Sequence, residues 1–149
     1  MSLNKEEINR YSRHLTLPEV GMVGQLKLKE AKILMVGAGG LGSPLGMYLG
    51  AVGIGKIGIV DFDVVDHTNL HRQIAHSASD EGRAKVNSLR DTILSGNSNI
   101  EIDVHNFRLE RENVSELFEQ YDIIADGSDN FETRYLINDA AYFTKKPLV

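Results

Sequence analysis

The chain has no cysteine. Disulfides, thiolate zinc sites and a cysteine nucleophile are therefore excluded from these 149 residues. Basic residues are in the minority: 16 Lys and Arg stand against 21 Asp and Glu, a net charge of -5. General nucleic-acid binding needs a basic face, so it is not expected. No apolar run approaches the ~20 residues of a membrane helix. The polar opening MSLNKEEINRYSRH lacks a signal-peptide core, so a cytoplasmic location without membrane partners is expected. No internal repeat, low-complexity tract or Ser-His-Asp order stands out. The five histidines (14, 67, 71, 76 and 105) have no spacing to each other or to acids that makes a metal site, and His71 is given no role. What is present is ordinary for a globular domain, 42% hydrophobic and 25% charged, and long enough to bury a core.

Periodicity divides the chain into a helical segment, 1–30, and an alternating strand–helix part, 31–149. Ile8, Tyr11 and Leu15 predict a helix over Asn4 to Leu15; a loop broken by Pro18, Gly21 and Gly24 leads to a short helix near Gln25 to Glu30. Strands are predicted at Lys32–Val36, Lys56–Asp61, Ile100–Val104 and Asp122–Ala125. Helices are predicted at Leu41–Val52, Asp80–Leu94, Arg111–Glu119 and Phe131–Phe143, with a long polar loop from Val64 to Ser77. This alternation predicts an α/β, Rossmann-like doubly wound, mainly parallel sheet. Pro147-Leu148-Val149 reads as a strand just beginning, so the domain is expected to continue past it.

Ile33 to Gly46 reads ILMVGAGGLGSPLG, and Gly37, Gly39 and Gly42 satisfy G-x-G-x-x-G. Such glycines let backbone amides approach a phosphate at a helix N-terminus, where the macrodipole adds positive potential. A tight turn without ligand reads the same, and the pattern does not separate NAD, FAD and ATP. The fingerprint expects an acid about 20 residues on to bond ribose hydroxyls, and Asp61 stands there. Asp63 and Asp66 follow; acids at a strand's carboxyl edge either hold Mg²⁺ or are solvated.

NLHRQ, Asn69 to Gln73, discriminates better. Arg72 suits the 2′-phosphate of NADP, but an Arg grouped with Asn69 and Gln73 beyond the ribose site suits a triphosphate better. Arg offers a planar fork to phosphate oxygens, and the amides orient without adding charge. A plain surface loop is the alternative. Lys85 is either a solvated helical charge or, with Arg72, a clamp on β- and γ-phosphates. DGSDN, Asp126 to Asn130, falls at the carboxyl edge of the sheet. There Asp129 suits Mg²⁺ on the phosphates, Asn130 joins the nucleotide set, and Asp126 and Ser128 suit turn or cap positions equally.

RYSRH, GAGGLGS, DFD, NLHRQ, Lys85 and DGSDN, in this order, resemble the ubiquitin-activating-enzyme-like adenylyltransferases. The MoeB and ThiF sulfur-carrier adenylyltransferases of molybdopterin and thiamine biosynthesis are the nearest subgroup. The resemblance implies ATP-dependent activation of the C-terminal glycine of a small ubiquitin-like sulfur-carrier protein. It further implies that Gly40 contacts the nucleotide and Asp61 the ribose, that Asn69, Arg72, Gln73 and Lys85 surround the phosphates, and that Asp129 binds Mg²⁺ with help from Asp63. Arg13 would act in the neighbouring subunit's site, implying a homodimer. The family's further part carries a paired CxxC zinc motif, so zinc is expected in the full-length protein but has no ligands here. An NAD(P)-dependent oxidoreductase and a non-catalytic nucleotide-binding subunit are the competing readings.

Overall fold

The computed structural model describes residues 2–149. Strands β1 (Lys32–Val36), β2 (Lys56–Val60), β3 (Glu101–His105) and β4 (Ile123–Asp126) form one parallel sheet in the order β3-β2-β1-β4. β1 is apolar on both faces, as a central parallel strand must be. Ile33 and Met35 enter one core with Ile57, Ile59, Val86, Leu89 and Ile93. Leu34 and Val36 enter the other with Ile124, Phe118 and Ile137. Helices α4 (Gly42–Val52) and α5 (Lys85–Gly96) therefore cover one face, and α6 (Val114–Glu119) and α7 (Phe131–Thr144) the other. The chain runs outward from β1 through β2 to β3, then returns to β4 on the far side of β1. This reversal places the topological switch point between β1 and β4, where open α/β sheets bind ligands. The doubly wound expectation holds.

At the N-terminus the expected single helix is two, α1 (Lys5–Arg10) and α2 (Ser12–Leu15). The break is at Tyr11, whose ring is buried and whose hydroxyl accepts a 2.8 Å bond from Asn97 Nδ2. α3 (Gly21–Glu30) begins at Gly21 rather than Gln25; Gly21 takes a left-handed φ of 53°, which glycine adopts without strain. Gln25 on α3 is buried, donating to the Val52 carbonyl at 2.9 Å and bonding His14 Nδ1 at 2.8 Å. Burial pushes the Glu7 carboxyl up, but the Lys29 ammonium 2.6 Å away and the Asn4 backbone N–H outweigh it and hold Glu7 below its usual value.

α5 begins at Lys85, not at Asp80. Ser77 and Asp80 close a separate 3-10 turn at Ala78–Asp80, Gly82 takes a left-handed φ of 81°, and the following residues pair antiparallel with Val64 and Val65. α6 likewise starts late, at Val114, because the Asn113 side chain is engaged by the preceding turn through Glu110 N and the Arg108 carbonyl. Leu148 bridges Ile124 in parallel, the beginning of the strand expected at Pro147.

The Ser77–Asp80 turn carries a pH prediction. The Ser77 hydroxyl and N–H, with Arg83, pull the Asp80 carboxyl down to about 2. A depressed carboxylate contributes stability above its unfolded value, about 3.9, and loses it as pH falls through its folded value. The stability gap between wild type and Asp80→Asn should therefore be constant near neutrality and shrink between roughly pH 4 and pH 2. Urea melts across that range read it directly.

Candidate functional site

The carboxyl ends of β1, β2 and β4 open onto a cleft of about 580 Å³, within the range of small-molecule sites. Gly37, Gly39 and Gly40 form one wall, Asp61, Asp63 and Lys85 a second, and Asp129 and Asn130 a third. Arg72 and Gln73 also line it. Asn69 does not: its carbonyl accepts the N–H groups of Arg72 and Gln73 and so fixes the turn that presents them. Arg13 lies exposed on α2, outside this lining.

The glycines divide by reason. Gly37 has φ of 98°, and a Cβ there would meet the Gly127 carbonyl at 2.8 Å. A Cβ on Gly42, the first residue of α4, would stand 2.0 Å from the Gly37 carbonyl oxygen. The turn itself demands both. A Cβ on Gly39 or Gly40 would meet only the Gln73 amide at 3.5 Å or the Arg72 stem at 3.8 Å, ordinary contacts. The fold leaves room there, so packing does not itself require glycine at either position. Among the described residues no group accepts the Gly39 or Gly40 N–H, which suits an anion at the α4 N-terminus.

Asp61 follows β2 and ties two loops together. Its Oδ2 accepts the Ala38 N–H and its Oδ1 the Asp63 N–H, both at 2.8 Å. Each oxygen keeps a lone pair for a further donor. Lys85 is not a solvated charge. It is 5% exposed, its backbone N–H donates to the Asp63 carbonyl, and its ammonium lies 2.9 Å from Asp63 Oδ2. Asp63 is thus first the counter-ion of Lys85. Its own exposure leaves that pair partly screened.

Two buried side-chain oxygens on the cleft, Gln73 Oε1 and Ser128 Oγ, have no partner among the described residues. An unsatisfied buried polar atom costs about 1–3 kcal/mol, so two at one crevice suit a polar ligand. The turn reading holds for Asp126, whose Oδ1 accepts the Ser128 N–H at 2.8 Å, whereas the α7 cap is Asn130, whose Oδ1 accepts the Thr133 N–H at 2.9 Å. The Asn130 oxygen is therefore engaged by the helix, which leaves its amide for a ligand. Asp129 is exposed and makes no ion pair among the described residues. No cluster of three metal-ligating side chains exists among them either. Mg²⁺ on nucleotide phosphates needs only one or two carboxylates, which Asp129 and Asp63 fit.

Sequence reading missed Arg134, Arg108 and His76. Arg134 lines the cleft and donates to the Ser128 carbonyl at 2.9 Å; one turn past the Asn130 cap, it points back over the loop. Arg108 packs over the Phe62 ring, 5.7 Å from its centre. His76 is buried, between the Ala38 carbonyl and Ser88. No spacing in the sequence marks it.

Sheet order, switch point and glycine-lined cleft define a Rossmann-like domain. Residues 11–149 match the ThiF family, and the chain belongs to that family. It is 54% identical over 148 residues to a probable adenylyltransferase/sulfurtransferase MoeZ of Mycobacterium tuberculosis, covering 99% of this chain and 38% of that protein. It is 53% identical over 147 residues to the adenylyltransferase and sulfurtransferase MOCS3 of Culex quinquefasciatus, covering 99% of this chain and 34% of that protein. The chain thus spans little more than a third of these relatives. Among solved structures, E. coli tRNA N6-threonylcarbamoyladenosine dehydratase TcdA in complex with ATP superposes with a TM-score of 0.93 at 26% identity, covering 99% of this chain and 60% of that one. E. coli MccB with AMPCPP and MccA superposes with a TM-score of 0.85 at 30% identity, covering 97% and 44%.

Proposed function

We propose that the cleft binds ATP and that the chain is the nucleotide-binding part of an adenylyltransferase. Its substrate in this reading is the C-terminal glycine of a small ubiquitin-like sulfur-carrier protein, in molybdopterin or thiamine biosynthesis. The observation that carries the reading is the convergence of the unpaired Gly39 and Gly40 amides with Arg72 and the buried Lys85 on one switch-point cleft. Four cations, Arg72, Lys85, Arg108 and Arg134, line it against three acids. That balance suits a triphosphate better than a dinucleotide. Relatives named adenylyltransferases and an ATP-bound structural neighbour support the same choice.

The chemistry follows from charge. A terminal carboxylate has a pKa of about 3.3–3.7 and is already ionised at neutral pH, so no general base is required. Its oxygen attacks the α-phosphorus, the bond from that phosphorus to the bridging oxygen breaks, and pyrophosphate leaves with the electron pair. No proton moves. The obstacle is bringing an anion to a polyanion, which Arg72, Lys85 and the loop amides relieve by positioning and charge neutralisation. Mg²⁺, held by Asp129 with Asp63 beside it, would supply further charge neutralisation on the phosphates. Asp61 holds the ribose, and Gly37 and Gly42 shape the turn. Gln73, Asn69 and Asn130 complete the phosphate surroundings, Asn69 through its backbone. Residues 1–30 present Arg13 to the cleft of a second copy in a homodimer, and residues 31–149 are the ATP-binding part. No helix among the described residues is long and apolar enough to cross a membrane, in keeping with a cytoplasmic enzyme.

ATP–pyrophosphate exchange in the full-length protein tests this. Exchange that requires the carrier and stops when its terminal glycine is removed supports the proposal. Exchange indifferent to the carrier overturns the substrate, and a full-length protein without exchange is a non-catalytic subunit.

A further inference from the structure

We propose that His76 is a positioning residue for phosphate binding, its ring oriented by Ser88 and its tautomer set by the Ala38 carbonyl, and that it aims the Gly39 N–H into the cleft. The inference rests on the ATP reading above. His76 is 6% exposed; its Nε2 lies 2.8 Å from the Ala38 carbonyl oxygen and its Nδ1 2.8 Å from Ser88 Oγ. A carbonyl only accepts, so Nε2 carries the hydrogen. In the neutral ring Nδ1 then accepts from the Ser88 hydroxyl.

The carbonyl that His76 holds belongs to the same peptide unit as the Gly39 N–H. That unit is planar and trans, because the chain has no cis peptide bonds, and its C=O and N–H point in opposite directions. Drawing the Ala38 oxygen inward to a buried imidazole turns the Gly39 N–H outward. Gly39 lines the cleft, and no group of the described residues accepts its N–H. The neighbouring peptide is clamped as well, since the Ala38 N–H donates to Asp61 Oδ2 at 2.8 Å. With the imidazole gone, the Ala38–Gly39 peptide is free to rotate and present its oxygen, the negative end of its dipole, to a phosphate.

The placement also links separate parts of the site. His76 closes the segment that carries Arg72 and Gln73, and Ser88 lies three residues past Lys85 on α5. The glycine loop is thus set from behind by the two elements that supply its cationic partners.

ATP and adenosine titrations of the full-length protein distinguish positioning from plain structural support, since adenosine has no phosphate for the Gly39 N–H. His76→Phe should weaken ATP about tenfold or more, the worth of a charge-assisted hydrogen bond, and leave adenosine unchanged. His76→Gln, which keeps a donor for the Ala38 carbonyl, should restore most of the ATP affinity. Equal losses for ATP and adenosine, or no loss for ATP, would overturn the proposal. If His76→Phe does not fold, Ser88→Ala decides: a loss of about threefold or more for ATP alone supports it, and unchanged ATP binding overturns it. The imidazole ¹⁵N shifts of wild type should report the Nε2-protonated form; the Nδ1-protonated form contradicts the geometry. A wild-type protein that binds adenosine and ATP equally well overturns this inference, whereas one that binds neither overturns the ATP reading itself.

Discussion

Arg72→Ala in the full-length protein is expected to lower carrier-dependent pyrophosphate release by about 100-fold or more, the range seen when one preorganised charge-stabilising donor is removed. The melting temperature should move by no more than about 2 °C, because the side chain is exposed and makes no ion pair among the described residues. Its only polar side-chain contact there is a long 3.4 Å approach of Nη1 to His71 Nε2. Arg72→Lys should recover part of the rate, since it restores charge without the planar fork. Unchanged turnover in Arg72→Ala would remove the guanidinium from the phosphate site and with it the reason for preferring a triphosphate over a dinucleotide.

Gly42→Ala at the start of α4 and Gly40→Ala in the loop two residues before it are expected to fail in opposite ways. The added carbon at Gly42 would stand 2.0 Å from a backbone oxygen, which no rotamer can relieve. It should destabilise the fold by about 3 kcal/mol, the upper part of the overpacking range. In a domain of this size that lowers the melting temperature by roughly 10 °C. At Gly40 the nearest neighbours are the Arg72 stem atoms at 3.8 Å, so the fold should stand within about 0.5 kcal/mol of wild type. The methyl there instead occupies the approach to the amides, and ATP affinity should fall about tenfold. A Gly40→Ala protein that binds ATP normally would mean the bare backbone at this position has no ligand to serve. A Gly42→Ala protein as stable as wild type would mean the turn has another geometry in solution.

How much of this was legible in the sequence depends on what kind of information each residue carries. β1 was read to the residue, and β2 to within one, because continuous apolar runs flanked by breakers report burial on both faces. The parallel, doubly wound architecture followed from alternation, whereas the strand order β3-β2-β1-β4 was not predicted. The start of α5 was misplaced because the residues from Asp80 to Arg83 carry no apolar spacing that marks a boundary, and the left-handed φ of Gly82 shows only in the fold. Lys85 read either as a solvated helical charge or as a phosphate clamp with Arg72, and its burial was not legible because it depends on Asp63 from a distant loop. In the site, the glycines, Asp61 and Arg72 stood out as types at recognisable spacings. Asn130 was visible as a nucleotide candidate, but its second role as the α7 cap was not read. His76 was invisible, because its two partners, Ala38 and Ser88, come from different elements and neither is a residue type that advertises a role.

Calorimetric titration with Mg-ATP and, separately, with NADH, using Arg72→Ala as control, tests the central claim that this cleft is a triphosphate site. ATP binding that weakens in the variant, with NADH silent, is the predicted result. NADH binding with ATP excluded would contradict it and make the cleft a dinucleotide site.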